Sequence, residues 1–278
     1  MGAGFVRAFL ERGETVRVWN RTPGKARELE ADGATAFDDP AEAARECKRV
    51  HLSLSDDAAV DDVLERARPS IGGATTIVDH TTTAPTPTRE RFERWHDRGV
   101  GYQHAPVFMG PQNAREHTGL MLASGPTDIF ERLRPELERM TGKVMYLGDR
   151  VDRAAAFKLF GNSMLFFITS GLADVYAFAK SVGIEAADAQ TLFETFKPGN
   201  AIDARGKRMA QGDFSPQFEL TMARKDVRLV LEEAERNGAR LAVLPAIAAR
   251  FDAVIAAGHG QDDMGAVAFE SVPAHSHA

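Results

Sequence analysis

The 278-residue chain holds a single cysteine, Cys47, so no intrachain disulfide can brace it. Such sparing cysteine use suits a reducing compartment, and a cytoplasmic location is the expectation. There is no basic excess: the net charge is -6 and the pI near 5.8. Nucleic acid is therefore excluded as the main partner, since a phosphate backbone needs a basic face. No apolar run approaches the roughly 18 residues that a membrane crossing needs, so no membrane partner is expected. Arg7, Glu11 and Arg12 interrupt the apolar residues at the start, unlike a signal peptide. Internal repeats and low-complexity linkers are lacking too. What remains, 44% hydrophobic and 27% charged, is ordinary globular composition, long enough for one large domain or two ordinary ones.

A further lack lies at the beginning. Met1-Gly2-Ala3-Gly4 runs straight into an amphipathic helix, with Phe5, Val6, Phe9 and Leu10 on one face and Gly13 as its C-terminal cap. A strand over 15–19 follows and ends in Asn20-Arg21-Thr22. Glycine turn, helix, strand and polar cluster form the back half of a dinucleotide-binding βαβ unit. The strand expected before the glycines is missing, with one or two glycines of the G-x-G-x-x-G turn. In this topology that strand is a central one, so the expectation is a start upstream of Met1.

Short strands alternate with helices up to about residue 147, which predicts parallel pairing with helices on both faces. Strands are expected at 50–54, 75–79 and near 100–104, 118–123 and 143–147. Helices are expected through Ala26 and Leu29, through Val60, Val63 and Leu64, from Pro85, and near 128–140. From Asp152 to Gly183 turn signals nearly vanish, which predicts one helix of about 30 residues, roughly 45 Å long. Further helices are expected at about 188–196, 201–211, 219–237 and 242–257, with no strand after 150. The fold class is thus an α/β Rossmann-like domain over 1–150, then an all-helical domain over 151–270 built on the long helix. Residues 271–278 read as a disordered tail.

Two constellations carry chemistry. Asn20-Arg21-Thr22 stands where an NAD-preferring site has an acid for the ribose hydroxyls. An arginine there can pair with a 2′-phosphate, which points to NADP(H); the alternative is a solvated strand-end turn. Lys158 and Asn162, four residues apart, project from one helix face. Among Ala154, Ala155, Ala156, Phe157, Leu159 and Phe160 a lysine loses ammonium solvation and becomes a usable acid or base. Spacing alone favours the plainer reading, a lysine stem along a buried helix with its head reaching solvent. His259 with Asp262 and Asp263 reads as a polar loop rather than a metal site, and His275-Ser276-His277 as part of the tail. No metal is expected.

Over essentially its whole length the chain resembles the β-hydroxyacid dehydrogenase family, the 3-hydroxyisobutyrate and 6-phosphogluconate dehydrogenase-like enzymes. Gly2 matches the end of the family's glycine turn, and Asn20-Arg21-Thr22 its NADP-type strand end. Leu54-Ser55-Asp56 falls at a turn beside the nicotinamide ribose. Asp79-His80-Thr81-Thr82-Thr83-Ala84-Pro85 is similar to the D-x-S-T-x-x-P loop that touches cofactor and substrate. His104-Ala105-Pro106-Val107 resembles D-A-P-V, and Lys158-Leu159-Phe160-Gly161-Asn162 matches K-x-x-x-N, whose lysine is the family's acid/base. Lys225-Asp226 matches a pair whose lysine reaches the cofactor, and Gly260-Gln261-Asp262-Asp263 resembles a closing G-x-x-D.

The chain departs from the family after D-A-P-V. Relatives continue Ser-Gly-Gly, where a hydroxyl and backbone amides hold the substrate carboxylate; here Phe108-Met109-Gly110 stand. The resemblance implies an NADP(H)-dependent oxidoreductase interconverting the alcohol and carbonyl forms of a small β-hydroxyacid-like substrate. Lys158 and Asn162 would be catalytic; Thr81, Thr82, Phe108, Met109 and Gly110 would meet the substrate. Gly2, Asn20, Arg21, Thr22, Leu54, Ser55, Thr82 and Lys225 would hold the cofactor. Apolar side chains at 108 and 109 favour a bulkier or less charged substrate. A homodimer or homotetramer through the helical domain is implied. The rivals are an imine reductase on the same fold and a non-catalytic binding or dimerisation module.

Overall fold

The computed structural model describes residues 1–273; residues 274–278, with His275-Ser276-His277 and most of the expected tail, lie outside the described residues. The chain divides into two compact units, Met1–Ser163 and Met164–Ala278.

The first unit is built of strands alternating with helices. α1 (Gly2–Glu11) leads to β1 (Arg17–Trp19), α2 (Pro23–Arg27) to β2 (Thr35–Phe37), and α3 (Pro40–Ala44) to β3 (Arg49–Leu52). α4 (Asp57–Ala67), β4 (Thr76–Asp79), α5 (Pro85–His96) and β5 (Gly101–His104) follow. β6 (Val107–Phe108), α6 (Pro111–Glu116), β7 (Leu120–Ala123), α7 (Thr127–Glu138) and β8 (Lys143–Tyr146) complete the series. The chain leaves α1 through Gly13 at φ +79°, a left-handed conformation that glycine adopts without a Cβ penalty.

Pairing is parallel between β1 and β2, through β3, β4 and β5, and between β7 and β8. β6 instead pairs antiparallel with β7, Phe108 opposite Leu120, which corrects the all-parallel expectation. Residues 109–119 are too few for a crossover of about a dozen residues or more, so the chain turns back. The ladders form three sheets, β1-β2, β3-β4-β5 and β6-β7-β8. β1 and β3 each pair on one side only, and a cavity of about 1070 Å³ is lined by residues of α1, β1 and β3.

The helices cover the sheets through apolar faces. Phe5 and Phe9 of α1 pack with Val78, Met121, Ile129, Phe130, Leu133 and Leu137. Val60, Val63 and Leu64 of α4 pack with Ile77, Trp95 and Tyr102. Gly4 lets α1 approach α6, since a Cβ there would lie 2.7 Å from the Pro111 carbonyl oxygen.

α8 (Arg153–Ser181) is the long helix, and the division between the units falls within it. It ends as glycine dictates, Gly183 turning at φ +77°. α9 (Ala186–Thr195), α10 (Asn200–Asp203), α11 (Arg205–Ala210), α12 (Leu220–Arg236) and α13 (Leu244–Val254) complete the helical set. Every named element after residue 150, among the described residues, is helical. The single helix expected over 201–211 is two pieces.

Within the second unit, Leu220, Ala223, Phe251, Val254 and Ala266 form a core. Two buried carboxylates organise its loops. Asp174 accepts the backbone N–H groups of Ala242, Val243 and Leu244 at 2.7, 2.8 and 2.9 Å, capping α13. Asp263 accepts Arg205 Nε at 2.8 Å and the amides of Gln217, Phe218 and Gly265. Those hydrogen bonds hold both carboxyls below the ordinary aspartate value although burial opposes it.

One sequence expectation needs correcting. By length and composition α8 is apolar enough to cross a membrane, at mean hydropathy 1.2. Its run is broken in sequence by Gly161-Asn162-Ser163 and Thr169-Ser170, which is why no continuous apolar stretch shows. Phe160, Phe166 and Phe167 are about two-thirds exposed on it.

Candidate functional site

Two groups of residues gather in the first unit. The first lies at the C-terminal ends of β1 and β3. Gly2, Asn20, Arg21, Thr22, Leu54 and Ser55 all line the cavity between α1, β1 and β3. Asn20 Oδ1 accepts the Thr22 N–H at 2.9 Å and so shapes the turn that carries Arg21. Arg21 is exposed and makes no hydrogen bond or ion pair among the described residues. Its charge helps hold Asp56 below the ordinary carboxylate value, behind the larger effect of the Ala59 N–H. α1 begins at Gly2 with no side-chain cap and no acid in its first turn. Free helix amides and an unpaired guanidinium suit a pyrophosphate and a further phosphate, so the residues present fit a dinucleotide.

The loop after β4 is held from beneath. Thr81 is buried, and its Oγ1 accepts the Leu54 N–H at 3.1 Å, joining this loop to the one after β3. Thr82 is exposed. Thr88 Oγ1 donates to the Ala84 carbonyl, so it accepts from Thr83 Oγ1 at 2.7 Å. Thr83 in turn accepts from His104 Nε2 at 3.0 Å, and the same nitrogen donates to the Thr81 carbonyl. This fixes the His104 tautomer. Beneath lies Arg91, fully buried, paired with Asp57 at 2.9 Å and Asp61 at 2.7 Å, while Tyr102 Oη donates to Asp79 at 2.6 Å.

A second histidine chain went unrecognised in the sequence. His80 Nδ1 donates to the Ala105 carbonyl at 2.7 Å, leaving Nε2 to accept from His51 Nδ1 at 3.0 Å. Burial pushes His80 down to about 4, against the opposing pull of the Ala105 carbonyl. His51 is pushed well down by burial and by His80. The sequence signal was weak: His51 lies within β3 opposite Val78, while His80 is the first residue after β4, so no shared strand position links them.

The second group surrounds Gly161 on α8. The start of that helix is pinned by Ser124, whose Oγ accepts the Ala154 N–H at 2.8 Å and donates to the Val151 carbonyl at 3.2 Å. Ala154 and Ala155 are fully buried. One turn on, Lys158 is 8% exposed and has neither a hydrogen bond nor an ion pair among the described residues. Its Nζ lies 3.8 Å from the centre of the Phe108 ring. Burial pulls the ammonium below the ordinary lysine value. Asn162 is partly buried on the same helix.

Glycines make room for both departures from the family pattern. A Cβ at Gly161 would lie 2.7 Å from Phe108 Cε1, and one at Gly119 2.6 Å from Met109 Cγ. The Gly110 N–H donates to Asn113 Oδ1 at 2.8 Å. Phe108, Met109, Gly110, Lys158 and Asn162 are not among the residues lining the cavity between α1, β1 and β3. Lys225 belongs to the second unit, where it pairs with Asp226 at 3.0 Å. His259 Nδ1 meets Asp262 Oδ2 at 2.7 Å while Asp263 faces Arg205, and no metal-binding cluster occurs among the described residues.

A family profile described as the NAD binding domain of 6-phosphogluconate dehydrogenase matches residues 1–148. The chain belongs to the β-hydroxyacid dehydrogenase family. A second profile, NAD-binding of NADP-dependent 3-hydroxyisobutyrate dehydrogenase, matches residues 153–269. Glyoxylate/succinic semialdehyde reductase 1 of Arabidopsis thaliana is 26% identical, over 96% of this chain and 93% of that one. The fold matches an imine reductase from Myxococcus stipitatus in complex with NADP+, at TM-score 0.90 and 22% identity over 96% and 95% of the two chains. A Streptomyces aurantiacus imine reductase is 26% identical at TM-score 0.86, over 96% and 94%. This β-hydroxyacid dehydrogenase family member is an NAD(P)-dependent oxidoreductase.

Proposed function

We propose that the protein interconverts the alcohol and carbonyl forms of a small β-hydroxyacid-like substrate with NADP(H). The observation that carries the reading is Lys158, a buried lysine with no hydrogen-bonding partner and a lowered proton affinity. Burial that disfavours the ammonium makes the amine a readier proton acceptor and donor.

When bound, the nicotinamide accepts hydride in oxidation and donates it in reduction. Lys158 takes the hydroxyl proton as the carbonyl forms, and gives a proton to the oxygen in the reverse direction. Asn162, one turn along the helix, orients the substrate, and Thr82 supplies an exposed hydroxyl from the loop after β4. Gly2 and the first amides of α1 hold the pyrophosphate. Arg21, without a hydrogen bond or ion pair among the described residues, takes the 2′-phosphate, with Asn20 and Thr22 shaping its turn. Leu54 and Ser55 border the ribose. Residues 1–150 form the cofactor domain and 151–270 the helical domain in this reading. The exposed apolar row on α8 fits a second copy of the chain, making a homodimer or homotetramer.

The Phe108-Met109 pair and the likeness to the Streptomyces enzyme favour one other reading, reduction of C=N. Assaying NADPH oxidation against β-keto and semialdehyde acids and their esters beside a cyclic imine separates the two. Turnover of the carbonyl compounds is the expected result; turnover confined to the imine overturns the reading.

A further inference from the structure

The seat of Phe108 bears on which substrates the site accepts, and it rests on the proposed role of Lys158. The Phe108 side chain is set by three contacts. Its backbone is paired opposite Leu120 in the antiparallel ladder. Its ring occupies space that any side chain at Gly161 would fill. Its face lies under the Lys158 ammonium, 3.8 Å from Nζ to the ring centre, well inside the ~6 Å reach of a cation–π contact. Met109 is seated in the same manner against Gly119, whose φ of +91° already disfavours a side chain.

We infer that Phe108 is a specificity-determining residue, which holds Lys158 in place and turns the site against a free carboxylate beside the reacting carbon. The ammonium that would attract a short carboxylate already faces the Phe108 ring, 3.8 Å from its centre, so the cation–π contact competes for it. No hydroxyl stands at position 108 to donate to the carboxylate. The Gly110 amide is already engaged by Asn113 Oδ1, so that donor is taken as well. A carboxylate would thus lose water and find only the Lys158 ammonium, the group the reacting oxygen needs, a cost that grows as the site becomes less wet. An alkyl, aryl or ester substituent loses little by the same move and gains contact with Phe108 and Met109. Within the proposed β-hydroxyacid-like class, the preferred members are those whose carboxyl is masked, as in an ester, or replaced by an uncharged group.

A matched pair tests this directly: 3-hydroxyisobutyrate and its methyl ester, oxidised with NADP+, differ in the one charge. Wild-type kcat/KM should favour the ester by about tenfold or more, and Phe108→Ser should reduce that ratio by about tenfold. Phe108→Leu keeps the apolar bulk, so it should keep the ester preference while kcat falls for both compounds as Lys158 loses the ring. Thermal melts confirm that each variant is folded. A wild-type preference for the acid, or a ratio that Phe108→Ser leaves within about twofold, overturns the inference. Absence of turnover of both compounds by the wild type contradicts the proposed β-hydroxyacid-like substrate instead. The inference is then decided by calorimetric binding of the same two compounds with NADP+ present. Tighter binding of the ester, lost in Phe108→Ser, supports it, and equal or acid-favoured binding overturns it.

Discussion

Ser124 Oγ accepts the Ala154 N–H at 2.8 Å, so a residue just beyond the end of β7 caps the helix that carries Lys158. The height of Lys158 above Phe108 is set by where α8 starts, and Ser124 sets that start. Removing the hydroxyl leaves a buried amide unpaired. Ser124→Ala should cost about 1–2 kcal/mol of stability. It should also lower kcat more than it raises the KM for cofactor, since Lys158 shifts while Arg21 stays. Denaturant melts with steady-state kinetics check both; equal stability with unchanged kcat would show that the helix start is held by something else.

The buried histidines make stability pH-dependent with a definite sign. His80 ordinarily titrates near 6.5 and is pushed down to about 4 in the fold. The folded state therefore resists a proton that the unfolded chain accepts. The stabilisation is complete above about pH 6.5 and is lost as the pH falls through 4, on the order of 3 kcal/mol in all. His51 and His104 are lowered too and act in the same direction. Urea midpoints across pH 4 to 8 should fall towards the acid end; His80→Asn should flatten the slope. A midpoint independent of pH would show that His80 is not held neutral.

Gly161 offers a test in which the sign decides. Within a helix, Gly→Ala ordinarily stabilises by about 1 kcal/mol. Here the added methyl meets the Phe108 ring, and overpacking costs about 1–3 kcal/mol. Gly161→Ala should destabilise the wild type yet stabilise a Phe108→Ala background. Stabilisation in both would mean that the ring moves freely aside.

Arg21 should discriminate the cofactors. A charge-assisted pair with phosphate is worth about 1.5–3 kcal/mol, so Arg21→Ala should weaken NADPH binding roughly tenfold or more while sparing NADH. Fluorescence titrations of both cofactors measure it. Equal weakening of the two would remove the basis for the NADP preference.

Much of the fold was legible because its signals are local. The amphipathic face of Phe5 and Phe9, the glycine exit at Gly13 and the near absence of turn signals after Asp152 each report on their own element. β2 and β6 were not, since three- and two-residue strands carry no measurable alternation and exist through their neighbours. The antiparallel turn at Phe108 follows from the length of one connection, not from any residue in it. In the candidate site, Asn20-Arg21-Thr22 could be placed at a strand end, whereas Lys158 was singled out only through the family resemblance, since its spacing alone favoured a lysine reaching solvent. The hydrogen bonds that position them were not legible: Ser124 to Ala154, His104 to Thr83 and His80 to His51 join segments 20 or more residues apart. Asp174, which no sequence pattern marks, accepts the Ala242 N–H from 68 residues away and so caps α13. Such partners appear only when the chain is folded.

The central claim is that Lys158 moves the proton, and single-turnover kinetics of Lys158→Ala against wild type test it most directly. With the best carbonyl substrate and NADPH, the account expects the rate to fall about 10²- to 10⁴-fold with the cofactor Kd unchanged. It expects the lost activity to return in part with added primary amine. A rate equal to that of the wild type would contradict it.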